Sequence, residues 1–301
     1  MSLLVTGSIA IDTVETPHGR AENVLGGSAI YFSLAASFFA PVRLCGVVGE
    51  DFDPDLLRPL RERPIDLSGI EHRPGSRTFR WTGRYSGSMS SAETVAVELN
   101  VLAERGPQIP PAFLDSRLVF LANTHPRLQR ALAERLTSAE LIVCDTMDLW
   151  ITSEPQELRR TLACVHGLML NEGEARLLSG EQNLLAAGRR VLEMGPRFVV
   201  IKKGEHGSLL VSHEDLCQVP AYPTVRTIDP TGCGDSFAGA MMGYLAAQQR
   251  SDARALRAAI ARGSVLASFA IESFSVEALA GVTPADVQRR LSELHEMCRF
   301  E

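Results

Sequence analysis

The chain has 301 residues, 45% hydrophobic and 22% charged, which allows about two domains, or one large α/β domain with an elaboration, and excludes wholesale disorder or a fibrous structure. Thirty Lys and Arg against 36 Asp and Glu leave a formal net charge of −6. That balance argues against binding nucleic acid through its backbone or docking on an anionic membrane, so any phosphate chemistry must be local. The six cysteines, Cys45, Cys144, Cys164, Cys217, Cys233 and Cys298, lie far apart and form no C-x-x-C pair. They read as buried thiols in a reducing compartment. The N-terminal MSLLVTGSIAID is too short in apolar residues for a signal peptide, and no run of about 18 apolar residues occurs, so a cytoplasmic protein is expected.

In chain order, buried-strand runs rich in β-branched residues recur at 3–7, 42–48, 118–122, 141–145, 165–170 and 198–202. Stretches of helical spacing at 28–39, 53–62, 127–136, 155–164 and 184–194 lie between most of them, the alternation expected of a parallel sheet covered on both faces. The segment 76–99 breaks this rhythm. Its two alternating runs, SRTFRWTGRY and ETVAVELN, flank a Gly/Ser-rich turn and predict an antiparallel hairpin outside the main sheet. Residues 9–16 also alternate and could join that hairpin in a small inserted sheet, suited to a lid. After residue 230 the chain reads as helices at 234–249, 252–271 and 284–298.

The stretch 225–248, VRTIDPTGCGDSFAGAMMGYLAAQ, carries the most chemistry. A strand-like run ends at Asp229-Pro230, passes through Thr231-Gly232-Cys233-Gly234-Asp235 and opens a helix. Glycines at 232 and 234 let the backbone turn tightly, and the free N–H groups of a helix start favour an anion. Asp235, in the first turn, could take a proton from an attacking hydroxyl. Equally, it could be a helix-start carboxylate favoured by the dipole alone. The signatures of P-loop, dinucleotide, serine-hydrolase and zinc-protease sites are absent.

DPTGCGDSFAGA resembles the C-terminal D-T-x-G-A-G-D signature of the PfkB/ribokinase family of carbohydrate and nucleoside kinases. Other segments match that family in order: Gly7 and Asp12 in GSIAID, Gly26-Gly27, GVVGEDFD at 46–53, Asn171 and Glu174 in NEGE, and Gly204 and Gly207 in KKGEHG. The resemblance implies a ribokinase-like α/β fold over 1–301, a mostly parallel sheet between helices, with a small β-sheet lid inserted from about 9–24 and 76–100. It implies an ATP-dependent kinase that moves the γ-phosphoryl group to a hydroxyl, a CH₂OH, of a small sugar or sugar-like substrate. Asp235 would be the base, with Gly232, Cys233 and Gly234 stabilising the phosphoryl group through backbone N–H. Asp12, Gly26, Gly27, Ser28 and Tyr31 would bind the acceptor. Asn171, Glu174, Lys202, Gly204, Gly207, Gly232 and Gly234 would bind ATP, with Glu174 on Mg²⁺ directly or through water. Asp229, Thr231 and carbonyls of 267–275 would hold K⁺, and a homodimer is the family's default.

Several of these residues have a plainer reading. Asp12 could be a turn acid, Gly26-Gly27 the start of a helix, Asn171 and Glu174 a capping box, Lys202 and Lys203 a solvated pair, and Asp229 a cap on the turn before Pro230. Three departures matter: Cys233 replaces the usual Ala, Tyr31 stands where many sugar kinases have Asn, and Ala10 where ribokinase-like members often have Asn. The acceptor is therefore not expected to be bound as ribose is. A nucleoside is the alternative acceptor, since GGSAIYFS resembles the adenosine-kinase branch equally and Trp81 or Tyr85 could stack on a base. A non-catalytic ligand-binding regulator is the alternative class, disfavoured because Asp235 and both glycines are present.

Overall fold

The structure is a computed structural model that describes residues 2–299. Among those residues thirteen strands follow in chain order: Leu3–Thr6 (β1), Ala10–Thr16 (β2), Gly19–Gly26 (β3), Val42–Gly49 (β4), Ile65–Arg73 (β5), Phe79–Tyr85 (β6), Ala92–Glu98 (β7), Leu118–Leu121 (β8), Leu141–Asp145 (β9), Gly167–Asn171 (β10), Phe198–Lys202 (β11), Ser208–Ser212 (β12) and Leu216–Val219 (β13). Nine form one sheet in the order β13-β12-β11-β10-β9-β8-β1-β4-β5. From β11 to β5 every neighbouring pair is parallel, and β12 and β13 are added antiparallel at one edge. All six strands expected of a parallel sheet are in it.

Alternation along these strands feeds two cores. Leu3, Val5, Val143, Met169 and Val200 face the helices Ser28–Ala36, Cys233–Gln248 and Ala253–Ala270. Leu4, Ile142, Cys144, Leu168 and Ile201 face Pro126–Arg135, Pro155–Leu162 and Leu184–Leu192. Burial on both faces is why the central strands read as unbroken apolar runs.

The differences from the sequence reading fall at the edges. β5 (IDLSGIEHR) lies at one edge and carries Asp66, Glu71, His72 and Arg73, so it lacks an apolar run. β12 and β13 form a short hairpin at the other edge. The expected 53–62 helix is a 3₁₀ turn, Pro54–Leu57, followed by one helical turn, Arg58–Arg61, because Pro59 lacks the N–H that a continuous helix would donate to Asp55 O.

The second sheet has the order β3-β2-β6-β7, with β2 parallel to β6 and the outer pairs antiparallel. It leaves the main sheet directly after β1. Its base is tied down where 46–53 meets Thr78: the Thr78 N–H donates to Asp51 at 2.7 Å, and Gly49 N–H donates to the Thr78 hydroxyl at 3.0 Å. Arg80 donates to the other Asp51 oxygen at 3.2 Å.

The helices Ser28–Ala36 and Cys233–Gln248 approach backbone to backbone. A Cβ on Gly239 would overlap the Phe32 carbonyl, and one on Gly243 would lie 2.6 Å from the Ala36 carbonyl. The match of 32 with 239 and 36 with 243 makes the two helices parallel, so both begin at the carboxyl edge of the sheet. Gly239→Ala should therefore cost about 1–3 kcal/mol through overpacking. Gly281→Ala, whose Cβ would meet nothing within 4 Å, should change stability by less than about 0.5 kcal/mol. Thermal unfolding of the two variants checks this, and equal midpoints would contradict the close approach.

Candidate active site

Parallel strands deliver their carboxyl ends to one edge, where ligands bind in open α/β sheets. At the end of β1, Ser8 and Ser28 exchange hydrogen bonds, Ser8 N–H to the Ser28 hydroxyl at 3.1 Å and Ser28 N–H to the Ser8 hydroxyl at 3.0 Å. This pairing sets Gly27, at φ +100, against Ser8 O so closely that a Cβ would collide. The neighbouring Gly26 leaves the space that the Asp12 carboxylate occupies. Asp12, Gly26, Gly27 and Ser28 are thus brought together, with the Ser28 hydroxyl engaged by Ser8. Asp12 is only 5% exposed and its Oδ1 has no partner. Burial first, then the charges of Asp229 and Asp235, push its carboxyl up to about 8.

Opposite, Gly232 caps the Cys233–Gln248 helix at φ +74. The Tyr31 ring fills the place where a Cβ on Gly232 would sit, so glycine is required for the turn and for the packing. Tyr31 is 2% exposed, and its hydroxyl is pushed well above its usual range by burial and then by Asp12. Asp229 holds the turn from behind, accepting from Thr231 N–H at 2.8 Å, and its own N–H donates to Ile271 O at 3.2 Å. Its Oδ2 is buried without a partner. Cys233 N–H donates to Pro230 O, and burial followed by the Asp229 and Asp235 charges pushes its thiol up. Gly234 and Asp235 occupy the helix's first turn, where N–H groups lack a preceding helical carbonyl.

Asp235 is half-buried and its carboxyl is raised by burial, against the opposing pull of Lys202. Lys202, the last residue of β11, brings its Nζ to 2.9 Å from where a Gly234 Cβ would lie. Gly204 (φ +54) and Gly207 (φ +82) form the tight turn that follows, closed by Lys203 N–H to Gly207 O at 2.7 Å. Beside it, Asn171 and Glu174 form a complete capping box: Glu174 N–H donates to Asn171 Oδ1 at 2.8 Å and Asn171 N–H to Glu174 Oε2 at 2.6 Å. The box accounts for Asn171 Oδ1 and one Glu174 oxygen. Burial raises the Glu174 carboxyl, Lys202 opposes that, and Asp148 and Asp235 add to it.

Asp145 is the acid that sequence reasoning missed. It ends β9, 7% exposed, with Oδ1 unpartnered beside the equally unpartnered Thr146 hydroxyl. Burial first, then Asp235, raises its carboxyl well above the usual range, while Lys202 lowers it. The signal was present in LIVCD, where a buried parallel strand ends on a charge at the ligand-binding edge. Among the described residues no three acidic, histidine or cysteine side chains converge as a metal site. A divalent ion here would need nucleotide phosphates and water to complete its shell, which suits magnesium's habit. The unpartnered Asp145 Oδ1 and the free Glu174 oxygen are donors of the right chemistry.

The edge thus has two halves. Asp12, Gly26, Gly27 and Tyr31 lie on one side, Lys202, Gly204, Gly207, Asn171, Glu174 and Asp145 on the other, and the Gly232–Asp235 turn stands between them.

Comparison with known proteins gives the chain's family and fold. The chain is 30% identical over 261 residues to a cytidine kinase of Thermococcus kodakarensis, covering 83% of this chain and 89% of that one. Its fold is similar to a nucleoside kinase of Burkholderia thailandensis solved with inosine, with a TM-score of 0.76, 19% identity and 97% of both chains covered. It is similar also to a putative ribokinase of E. coli solved with ATP and Mg²⁺, with a TM-score of 0.76, 19% identity, and 97% and 99% covered. The family model for pfkB family carbohydrate kinases matches residues 2–280, nearly the whole described chain, and the chain belongs to that family.

Proposed function

We propose that this kinase transfers the γ-phosphoryl group of ATP to a primary hydroxyl of a small, uncharged sugar-like acceptor, with Asp235 as general base. The observation that carries the reading is Asp235 in the same turn as the Gly232–Gly234 anion seat, facing Asp12 closely enough that its charge raises the Asp12 carboxyl. Asp12 Oδ1, buried and unpartnered, accepts an acceptor hydroxyl. Asp235 takes the proton of the attacking hydroxyl, its affinity for that proton increased by burial. N–H groups of Gly232, Gly234 and Asp235 hold the transferring phosphoryl oxygens, the expected Cys233 N–H being engaged by Pro230 O instead, and the Lys202 ammonium approaches the same turn from the nucleotide side. Gly204 and Gly207 let the β11–β12 turn lie close to the nucleotide.

Glu174 and Asp145 would hold magnesium directly or through water, and the bound ion would supply positive charge to neutralise the nucleotide phosphates. A potassium ion beside the turn would be held by the unpartnered Asp229 Oδ2, the Thr231 carbonyl and carbonyls of 267–275.

A nucleoside is the acceptor favoured by a specific observation. Trp81 pairs in register with Asp12, so both project from one face of the small sheet, where an aromatic ring beside a hydroxyl acceptor suits a base joined to a sugar. The names of the cytidine- and inosine-binding relatives support this. The small sheet would then act as the lid. Exposed Val95 and Val97 on its outer strand and Leu99 just beyond it support a homodimer, and six unpaired cysteines support a cytoplasmic setting.

Asp235→Asn should keep the fold and nucleotide affinity while kcat falls roughly 10²–10⁴-fold. Near-full turnover would remove Asp235 as base, and equal rates in potassium, sodium and a bulky organic cation would remove Asp229 from any cation site. Asp12 supplies a pH prediction. Its carboxyl stands at about 8 in the folded protein against the ordinary 3.8, so the folded form holds a proton that the unfolded chain has lost between those values. Stability from this group is full below the lower value and is lost as pH rises through the upper one. Asp12→Asn, which cannot ionise, should unfold at a higher temperature than the parent at pH values above about 8 and converge with it near pH 4. Scanning calorimetry across that range checks the sign, and a constant difference at all pH values would contradict it.

A further inference from the structure

Asp12 and Tyr85 belong to one rigid unit. β2 and β6 pair without interruption from Ala10↔Phe79 to Glu15↔Arg84, with Asp12 opposite Trp81. Residues 81, 83 and 85 alternate onto Asp12's face, so any swing of the small sheet moves Asp12 and Tyr85 together. The sheet is anchored at the Phe79 end, through Thr78 to Gly49 and Asp51 and through Asn100 Nδ2 to Thr78 O at 2.9 Å. Tyr85 stands at the far end of β6, roughly 20 Å along the strand.

At that far end the Tyr85 hydroxyl meets the Thr231 hydroxyl at 3.3 Å. Thr231 is the residue before Gly232, and its N–H is already fixed by Asp229 at 2.8 Å. The anion turn is thus held by the main domain through Asp229 and by the small sheet through Tyr85. The anchors near Thr78 lie at the base, whereas a contact at the far end of the sheet is the one that a change of sheet angle would displace most.

We infer that Tyr85 is a positioning residue that couples closure of the small sheet over the acceptor to the shape of the phosphoryl seat, through its hydrogen bond to Thr231. The inference rests on the kinase reading and goes beyond it. An acceptor gripped by Asp12 draws the sheet in, Tyr85 then steadies Thr231 and Gly232, and the nucleotide finds a formed seat. By reciprocity the nucleotide tightens the acceptor equally. One shared hydrogen bond corresponds to a coupling of roughly two- to tenfold.

The test uses the full chain, a non-hydrolysable ATP analogue with Mg²⁺, and cytidine, inosine and ribose as acceptor probes. In the parent, an acceptor that is turned over should tighten analogue binding, measured by calorimetry. Tyr85→Phe, which keeps the ring, should reduce that tightening roughly two- to tenfold, weaken acceptor binding in the presence of the analogue by the same factor and lower kcat similarly, with acceptor affinity in the absence of nucleotide nearly unchanged. Thr231→Val should do the same, and the double variant should lose no more coupling than either alone, because both remove one bond. Unchanged coupling in Tyr85→Phe, or additive losses in the double variant, would overturn the role of Tyr85 while parent turnover leaves the kinase reading intact. A parent that turns over no probe would contradict both.

Discussion

Two glycines on one helix set the geometry on which the site depends. Because Gly239 and Gly243 carry no side chain, the Cys233–Gln248 helix lies against the carbonyls of Phe32 and Ala36 on the Ser28–Ala36 helix. The two helices run parallel, so the Gly26–Gly27 turn that begins one and the Gly232 turn that begins the other come to the same edge. Tyr31 fills the remaining gap, its ring against Gly232. Both helix N-termini, each with a partial positive charge, then converge where Asp12, Asp229 and Asp235 gather. The Gly26–Gly27 and Gly232 turns are adjacent because of a packing contact more than a turn of helix away.

The electrostatics follow from that convergence. Asp12, Asp145, Asp229 and Asp235 are all raised, and for each the largest cause is burial. Acids held this way gain from any ligand that brings positive charge or hydroxyl donors, and they repel a second anionic group at the acceptor end. Lys202 is the cation that opposes the rise at Asp145, Glu174 and Asp235, which places its influence on the nucleotide side. The uneven charge divides the edge into an acidic half around Asp12 and a half in which Lys202 offsets the acids.

Much of this was legible because the informative residues are local in sequence. The DPTGCGDSFAGA run holds the Gly232 turn and Asp235, the proposed base, in twelve consecutive positions, and the central strands announce themselves through double-sided burial. The alternating 76–99 segment read correctly as a hairpin outside the main sheet. Less legible were β5, whose edge position admits charges, and the Pro54–Arg61 stretch, where Pro59 interrupts the helical spacing. Asp145 was overlooked because a lone acid after LIVC carries no motif, and its environment comes from β10, β11 and the Cys233–Gln248 helix. For Asn171 and Glu174 the sequence left a cap and a metal role open. The cap is present, and it lies close enough to Asp235 and Lys202 for one Glu174 oxygen to serve the site as well.

The central claim is that a carboxylate in the first turn of the Cys233–Gln248 helix directs a phosphoryl group from ATP to a primary hydroxyl of an uncharged acceptor. Phosphorus NMR of the purified protein with ATP, Mg²⁺ and, separately, cytidine, inosine, ribose and a sugar phosphate tests it most directly. The account predicts a new phosphomonoester signal split by two methylene protons with at least one uncharged acceptor, and none with the sugar phosphate. Consumption of ATP without such a signal, or phosphorylation of the sugar phosphate in preference to every uncharged acceptor, would contradict it.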